Sequence, residues 1–106
     1  PLGSRGLGDV YKRQESKGAK RVIFFGATEM AEIAYLSLYD TNLELAAVLD
    51  DLNIGKRFFN HTVQPVCLLK SIRHDRIILT SNEPPDVIQN KLKEQGVSQD
   101  RVVIMN

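Results

Sequence analysis

Four short apolar runs, separated by polar and helical stretches, set the pattern of this chain. Residues 21–25 (RVIFF), 43–49 (LELAAVL), 76–80 (RIILT) and 101–105 (RVVIM) are rich in β-branched, aromatic and aliphatic side chains. They lack the strict alternation of polar and apolar positions that marks a half-exposed strand. Such runs are typical of strands buried on both faces, as in a parallel sheet.

Helical spacing appears between these runs. Residues 28–39, beginning at the N-cap residue Thr28, place apolar side chains at intervals of three and four, and residues 66–72 and 85–95 do so more briefly. Residues 53–66 predict an irregular loop, held to the core by two adjacent phenylalanines. The alternation predicts an α/β fold: a three-layer, Rossmann-like open parallel sheet of four to five strands. We expect the first strand at the centre, the second on one side, and the third and fourth on the other.

Residues 1–20 precede the first strand, and we expect a tag-derived, adapter-derived or disordered lead-in. Residues 1–4 (PLGS) match the remnant of a cleaved expression tag. Residues 9–14 (DVYKRQ) resemble a translated sequencing adapter, of the kind found at the ends of metagenomic reading frames. Such segments are left out of fold prediction; the alternative is a disordered basic arm. Residues 21–106 then form the ligand-binding domain.

Charge and cysteine content limit the classes of function and the compartment that fit this sequence. Residues 1–14 carry an excess of two positive charges, so the formal charge of +1 for the whole chain becomes −1 without them. A basic pI therefore gives no reason to expect nucleic-acid binding. Cys67 is the single cysteine, which excludes an internal disulfide and fits a reducing, cytoplasmic compartment. It lies in an apolar run, so we expect it in or near the core. No apolar run approaches the ~20 residues of a membrane span.

The turn after the first strand is the first candidate ligand site. In an open α/β sheet, ligands bind where strands end and a helix N-terminus offers free amides and a partial positive charge. A dinucleotide fingerprint has the pattern G-x-G-x-x-G, whereas this chain has GATEMA. A threonine replaces the glycine that admits a pyrophosphate, and a glutamate follows it. We therefore expect either a purely structural turn or a relaxed nucleotide turn, formed by Gly26, Ala27, Thr28, Glu29 and Met30.

Polar residues at the ends of the other strands complete the candidate site. Asp50 follows the glycine of the turn by 24 residues, near the spacing at which an acidic residue accepts hydrogen bonds from ribose hydroxyls. It would repel a 2′-phosphate, which favours NAD-like or UDP-like ligands over NADP. Ser81 and Asn82 follow the third strand at the same edge, and Lys56 is a cation within reach of a phosphate. The alternative is that Asp50 and Asp51 only end a strand.

No catalytic constellation is recognisable in the sequence. His61 and His74 are not at a metal-ligand spacing, and neither shows a pairing pattern with Cys67. Adjacent carboxylates on an extended segment point opposite ways, so Asp50 and Asp51 do not converge on one ion or one proton. The chain therefore predicts binding without chemistry of its own, and we assign it no catalytic residue and no metal ligand.

The order of these motifs resembles a group of small Rossmann-like domains. VIFFGATEMA, LAAVLDD, IGKRFFNHTVQPV, RIILTS and RVVIMN follow one another as in the CoA-binding-like domains of nucleotide-sugar dehydratases and polyprenyl glycosylphosphotransferases. The nucleotide-sugar-binding domain of PglD-like acetyltransferases is similar. The positions on the family pattern are Gly26, Glu29, Asp50, Asp51, Gly55 and Val66. Thr28 and Ala31 replace family glycines.

The resemblance implies a non-catalytic regulatory module of polysaccharide or sugar-nucleotide metabolism, which binds a nucleotide, NAD, a UDP-sugar or CoA. Two other functions stay open. One is a fragment of a sugar-nucleotide dehydratase or acetyltransferase that lacks its catalytic domain. The other is the dimerisation module of a winged-helix transcription regulator. The expected partners are a small nucleotide-type ligand and a second copy of the chain, with neither nucleic acid nor membrane bound by this domain.

Overall fold

The computed structural model describes residues 2–105. Its strands are β1 (Arg21–Phe25), β2 (Glu44–Leu49), β3 (Arg57–Phe58), β4 (His61–Thr62), β5 (Arg76–Leu79) and β6 (Val102–Ile104). Its α-helices are α1 (Leu2–Ser16), α2 (Glu29–Ser37) and α3 (Pro85–Glu94). Short 3-10 segments cover Leu38–Asp40, Val66–Ser71 and Gln99–Arg101.

The main sheet confirms the predicted α/β fold and strand order. Its four strands lie in the order β2-β1-β5-β6, and every neighbouring pair is parallel. β1 is therefore central, with the next strand of the chain on one side and the two later ones on the other. β3 and β4 form a separate antiparallel hairpin, which the sequence did not predict.

The two faces of the sheet carry separate apolar cores, which explains why the strands lack alternation. Val22 and Phe24 of β1 belong to the core beneath α1 and α2. Ile23 and Phe25 belong to the core beneath α3 and the segment Val66–Ser71. All four side chains are buried, because successive residues of a strand point to opposite faces and both faces are covered.

Local sequence accounts for both predicted long helices. The Thr28 hydroxyl caps α2 by accepting a hydrogen bond from the Ala31 amide at 3.3 Å. Ala31 and Ala34 are the buried residues of α2, and their small side chains let the helix pack closely on the sheet. Pro85 opens α3, and Gly96 follows its end with φ +84°, a value that favours glycine.

The lead-in differs from the expected disordered segment, because residues 2–16 form α1. Leu7, Tyr11 and Gln14 are buried, at a spacing of four and three that lies along one helix face. The segment contains glycines at positions 3, 6 and 8, which weaken a helix, so packing rather than intrinsic propensity stabilises it. The tag and adapter assignment of residues 1–14 concerns their origin and stays a prediction.

Two expectations about the core were wrong. Cys67 is exposed, because the 3-10 segment that carries it turns Leu69 inward instead. Of the two phenylalanines at the hairpin, only Phe58 is buried. Phe59 is 43 % exposed, has φ +53°, and stacks on Tyr35 with ring centroids 4.4 Å apart. A tight two-residue connection between β3 and β4 demands the positive φ and turns this ring outward.

Within residues 2–105, none of the helices has the length and apolar character that crossing a bilayer requires.

Candidate functional site

A cleft of about 650 Å³ opens where β1, β2 and β5 end. Its lining mixes apolar side chains with polar and charged ones. The lining residues are Phe25, Gly26, Thr28, Leu49, Asp50, Asp51, Leu52, Asn53, Val66, Ser81, Asn82, Glu83, Lys91, Glu94 and Gln95. The chain passes from β1 to β2 on one side of the sheet, and β5 and β6 lie on the other side of β1. The cleft therefore lies at the topological switch point of the sheet. That is the usual ligand position in open α/β sheets.

Gly26 holds the strand ends together at the base of this cleft. Its amide donates to Leu49 O at 2.9 Å, and its carbonyl accepts a bond from the Thr80 hydroxyl at 2.6 Å. Its φ is +122°, and a Cβ added there would lie 2.5 Å from both Cα and N of Ser81. The close approach that requires glycine is therefore to the neighbouring strand end.

The Thr28 hydroxyl makes its hydrogen bonds within the protein. Its hydroxyl donates to the Thr80 carbonyl and accepts from the Ala31 amide. A hydroxyl has one proton to donate, so Thr28 offers a ligand phosphate no hydrogen in this arrangement. The amides around this turn are also engaged, since that of Ala27 donates to Asp50 and that of Ala31 to Thr28, while Glu29 and Met30 line a neighbouring cavity.

Asp50 also makes most of its hydrogen bonds within the chain. Its Oδ2 accepts from the Ala27 amide and the Asn53 side chain, and its Oδ1 accepts from the Leu52 amide, each at 2.9 Å. A carboxylate offers about four lone-pair sites, so one on Oδ1 is left for a ligand hydroxyl. Partial burial acts to raise the pKa of Asp50, but the hydrogen bonds from Ala27, Asn53 and Leu52, with the charge of Lys56, lower it overall.

The loop after β2 forms one wall of the cleft. Asp51 Oδ1 accepts a hydrogen bond from the Val66 amide at 2.9 Å and so fixes the loop to the segment Val66–Ser71. Leu52, between Asp51 and Asn53, lines the cleft and is 90 % exposed. An apolar side chain in that position offers contact area to a ligand in the cleft.

The cleft is rich in negative charge. Four carboxylates line it, from Asp50, Asp51, Glu83 and Glu94, and Lys91 is the one cation among the lining residues. The Lys91 ammonium lies 3.3 Å from Glu83, at the surface. Ligands with several phosphates are therefore repelled more strongly than ligands with few.

The structure brings most of the predicted site residues together. Six of them line the cleft: Gly26, Thr28, Asp50, Asp51, Ser81 and Asn82. Ala27 contributes its backbone amide to Asp50. Glu29 and Met30 line a neighbouring apolar cavity of about 450 Å³, which shares Asn82 with the cleft. Lys56 is exposed and lies outside the lining, although its charge acts on Asp50.

Sequence reasoning missed the wall that α3 provides. Lys91 and Glu94 lie three residues apart on one face of this helix, and the C-cap residue Gln95 follows Lys91 by four. That spacing was visible in the sequence, but it does not say which cavity the face borders. Asn53 was also missed, because its side-chain bond to Asp50 Oδ2 depends on how the loop turns after the strand. The sequence signal present there is the Asx turn, in which the Asp50 carboxylate accepts the amide of Leu52 two residues on.

Comparison with known proteins gives one finding. A search of curated proteins found no significant match. The family described as C2185-like, N-terminal, matches residues 18–103, which include β1, β2, β5, all but the last residue of β6, α2, α3 and every residue that lines the cleft. Because this match spans most of the chain, the protein belongs to the C2185-like N-terminal family.

Proposed function

We propose that this domain is a non-catalytic, cytoplasmic binding module for a nucleotide-type ligand, in polysaccharide or sugar-nucleotide metabolism. The observation that carries the proposal is the cleft at the switch point, with Gly26 and the α2 N-cap residue Thr28 on one side and Asp50 after the end of β2. A lining that mixes apolar and polar side chains suits a base or sugar ring that carries hydroxyl groups.

The negative charge of the cleft predicts which of the candidate ligands binds more tightly. NAD and UDP-sugars carry two phosphates, whereas CoA carries a third, and four carboxylates face the cleft. We therefore expect NAD or a UDP-sugar to bind in preference to CoA. The remaining lone pair of Asp50 Oδ1 suits one ribose or sugar hydroxyl, so this contact is single rather than paired.

Calorimetric titration with NAD, UDP-glucose and acetyl-CoA tests the proposal. We expect saturable binding of at least one of the first two, and loss of that binding in Ser81→Trp, where an indole fills the cleft. Glu94→Lys should strengthen binding several-fold at low salt. Asp86→Lys makes the same charge change on α3 outside the cleft lining and should not. Absence of heat with all three ligands would refute the proposal.

A second candidate function is the dimerisation module of a regulator, which the outer face of α2 favours. Ile33 and Leu36 of α2 and Tyr39 of the following 3-10 segment are each more than half exposed and follow one another at intervals of three. Contiguous exposed apolar side chains mark interaction surfaces. Light scattering of the protein and of Ile33→Glu separates the two functions: a dimer that the substitution dissociates, with no response to nucleotides, would favour this one.

A further inference from the structure

Another cavity, of about 600 Å³, lies where β5 and β6 begin, at the edge of the sheet opposite the strand ends that form the cleft. One side is the end of the segment Val66–Ser71 with the connection to β5, and the other is the connection between α3 and β6. It shares one residue, Gln95, with the cleft. This cavity is termed the basic groove, and its lining residues are Leu69, Lys70, Ile72, Arg73, His74, Gln95, Gly96, Val97 and Arg101.

The charge that lines the basic groove has one sign. Lys70, Arg73 and Arg101 contribute three cations, and none of the lining residues is an Asp or a Glu. Both salt bridges within residues 2–105 lie elsewhere, so none of these three cations has a carboxylate oxygen within 4 Å there. Cations that converge without partners create a positive potential, which attracts an anion into the groove.

The carboxylates closest to the groove along the chain do not neutralise it. Asp75 Oδ2 accepts hydrogen bonds from the amides of Lys20 and Arg21, at 2.8 and 2.9 Å. Glu94 lines the cleft and not the groove. Asp100 is exposed and also lies outside the lining. The groove therefore differs from the cleft, where four carboxylates accompany one cation.

Arg101 is held in place by the connection that leads into β5. Its Nε donates to the Asp75 carbonyl at 3.5 Å, and its Nη2 donates to the His74 carbonyl. A guanidinium has five N–H donors, so these two bonds leave three of them. Apolar side chains, among them the buried Leu69, line the same groove and limit the screening of its charges by water. An anion would therefore meet a donor group that is already positioned.

We infer that the basic groove binds a phosphate monoester. Such a group carries about −1.5 to −2 charges at neutral pH and has three strong acceptor oxygens. It therefore matches three cations, one of which is a fixed guanidinium, better than a carboxylate with one charge and two oxygens does. The remaining volume suits a compact body on the phosphate, such as a sugar ring. The inference does not depend on what binds in the cleft.

Titration of the full chain with glucose 1-phosphate tests this inference, with the ionic strength held constant by sodium chloride. Two-dimensional amide NMR reports where the ligand binds. We expect saturable shifts at Arg73 and Gly96, which line the basic groove, and not at Gly26 and Leu52, which line the cleft. Ser81→Trp, which fills the cleft, should bind glucose 1-phosphate as the parent protein does.

Two further probes identify the source of the phosphate. Inorganic phosphate measures the contribution of the phosphoryl group alone and should bind more weakly than the ester. A short phosphoserine peptide represents a phosphorylated protein, whereas glucose 1-phosphate represents a free metabolite. Saturable binding of either ester in the basic groove supports the inference, and the tighter of the two identifies the source.

Substitutions of exposed cations measure their contribution. Lys70→Gln and Arg73→Gln should each weaken binding about two- to fivefold, the size of an exposed charge pair, and together about tenfold. The Arg73 carbonyl still accepts its bond from Arg21 in these variants, so we expect unchanged melting temperatures without ligand. Arg57→Gln is the matched control, since it removes the same charge from an exposed residue of β3 outside the groove. It should bind as the parent protein does.

Three outcomes would overturn the inference. The first is the absence of saturable binding with all three phosphate compounds. The second is binding whose amide shifts centre on Gly26 and Leu52 and which Ser81→Trp abolishes, because the phosphate would then occupy the cleft. The third is equal weakening in Arg57→Gln and Arg73→Gln, which would show a dependence on net charge alone.

Discussion

Replacing Gly26 by alanine tests the interpretation of the turn after β1. The new Cβ would lie 2.5 Å from Cα and N of Ser81 and 2.8 Å from the carbonyl carbon of Thr80. All three are backbone atoms at the end of β5, where the Thr80 amide donates to Phe25 O at 3.1 Å and the Thr80 hydroxyl donates to Gly26 O. The neighbouring strand therefore cannot move away without losing these hydrogen bonds.

Two costs combine in this substitution. A φ of +122° is strained for any residue with a side chain, at about 1–3 kcal/mol. Forcing an extra carbon into a packed site costs about 1–3 kcal/mol more. The expected loss of about 2–6 kcal/mol is a large part of the ~5–15 kcal/mol by which a domain is stable.

Gly55→Ala is the matched control. Gly55 has φ +88°, and nothing lies within 4 Å of a Cβ built there, so this variant incurs only the backbone cost. Urea unfolding followed by far-ultraviolet circular dichroism gives the free energy of unfolding of each variant by linear extrapolation. We expect Gly26→Ala to lose about 1–3 kcal/mol more than Gly55→Ala. Equal losses would show that Gly26 is not packed against β5 as described.

Two further predictions concern α1 and the cleft. Gly8→Ala should raise the free energy of unfolding by about 1 kcal/mol, because Gly8 lies in α1 and nothing is within 4 Å of a Cβ built there. Urea unfolding measures this gain. If the variant is no more stable than the parent protein, residue 8 is not helical in the folded protein. The pKa of Asp50 lies below its usual 3.8, so its ionised form stabilises the fold above pH 3.8, and this contribution is lost as the pH falls through the folded-state pKa. Asp50→Asn should flatten the fall in melting temperature over that acidic range, and an unchanged acid profile would count against the three hydrogen bonds to this carboxylate.

The main sheet was predictable because its signal is local. Runs such as RVIFF carry no alternation since Val22 and Phe24 face one core while Ile23 and Phe25 face the other. A single glycine ends the first run, and polar residues end the others, which fixes the strand ends and therefore the edge where a site forms.

Features that depend on packing between distant segments were not predictable in the same way. Cys67 and Leu69 lie in a 3-10 segment too short for its sequence to show which side faces inward. Residues 1–20 were expected to be a tag-derived, adapter-derived or disordered lead-in, and the buried positions of Tyr11 and Gln14 depend on their contacts with α2 and Arg76. The position of Asp50 at the edge of the sheet was predicted from the sequence. Its hydrogen bonds with Ala27 and Asn53 were not, because they depend on how the loop folds back.

The buried ring of Tyr11 gives this chain an internal optical reporter. The protein has three tyrosines and no tryptophan, so phenolate absorbance is not obscured by indole. Burial raises the pKa of Tyr11 above its usual 10.0, and its hydroxyl is held against α2. Release of α1 would return this phenol to water and bring its ionisation back toward the ordinary range. Alkaline absorbance titration would thus follow the attachment of α1 without any added label.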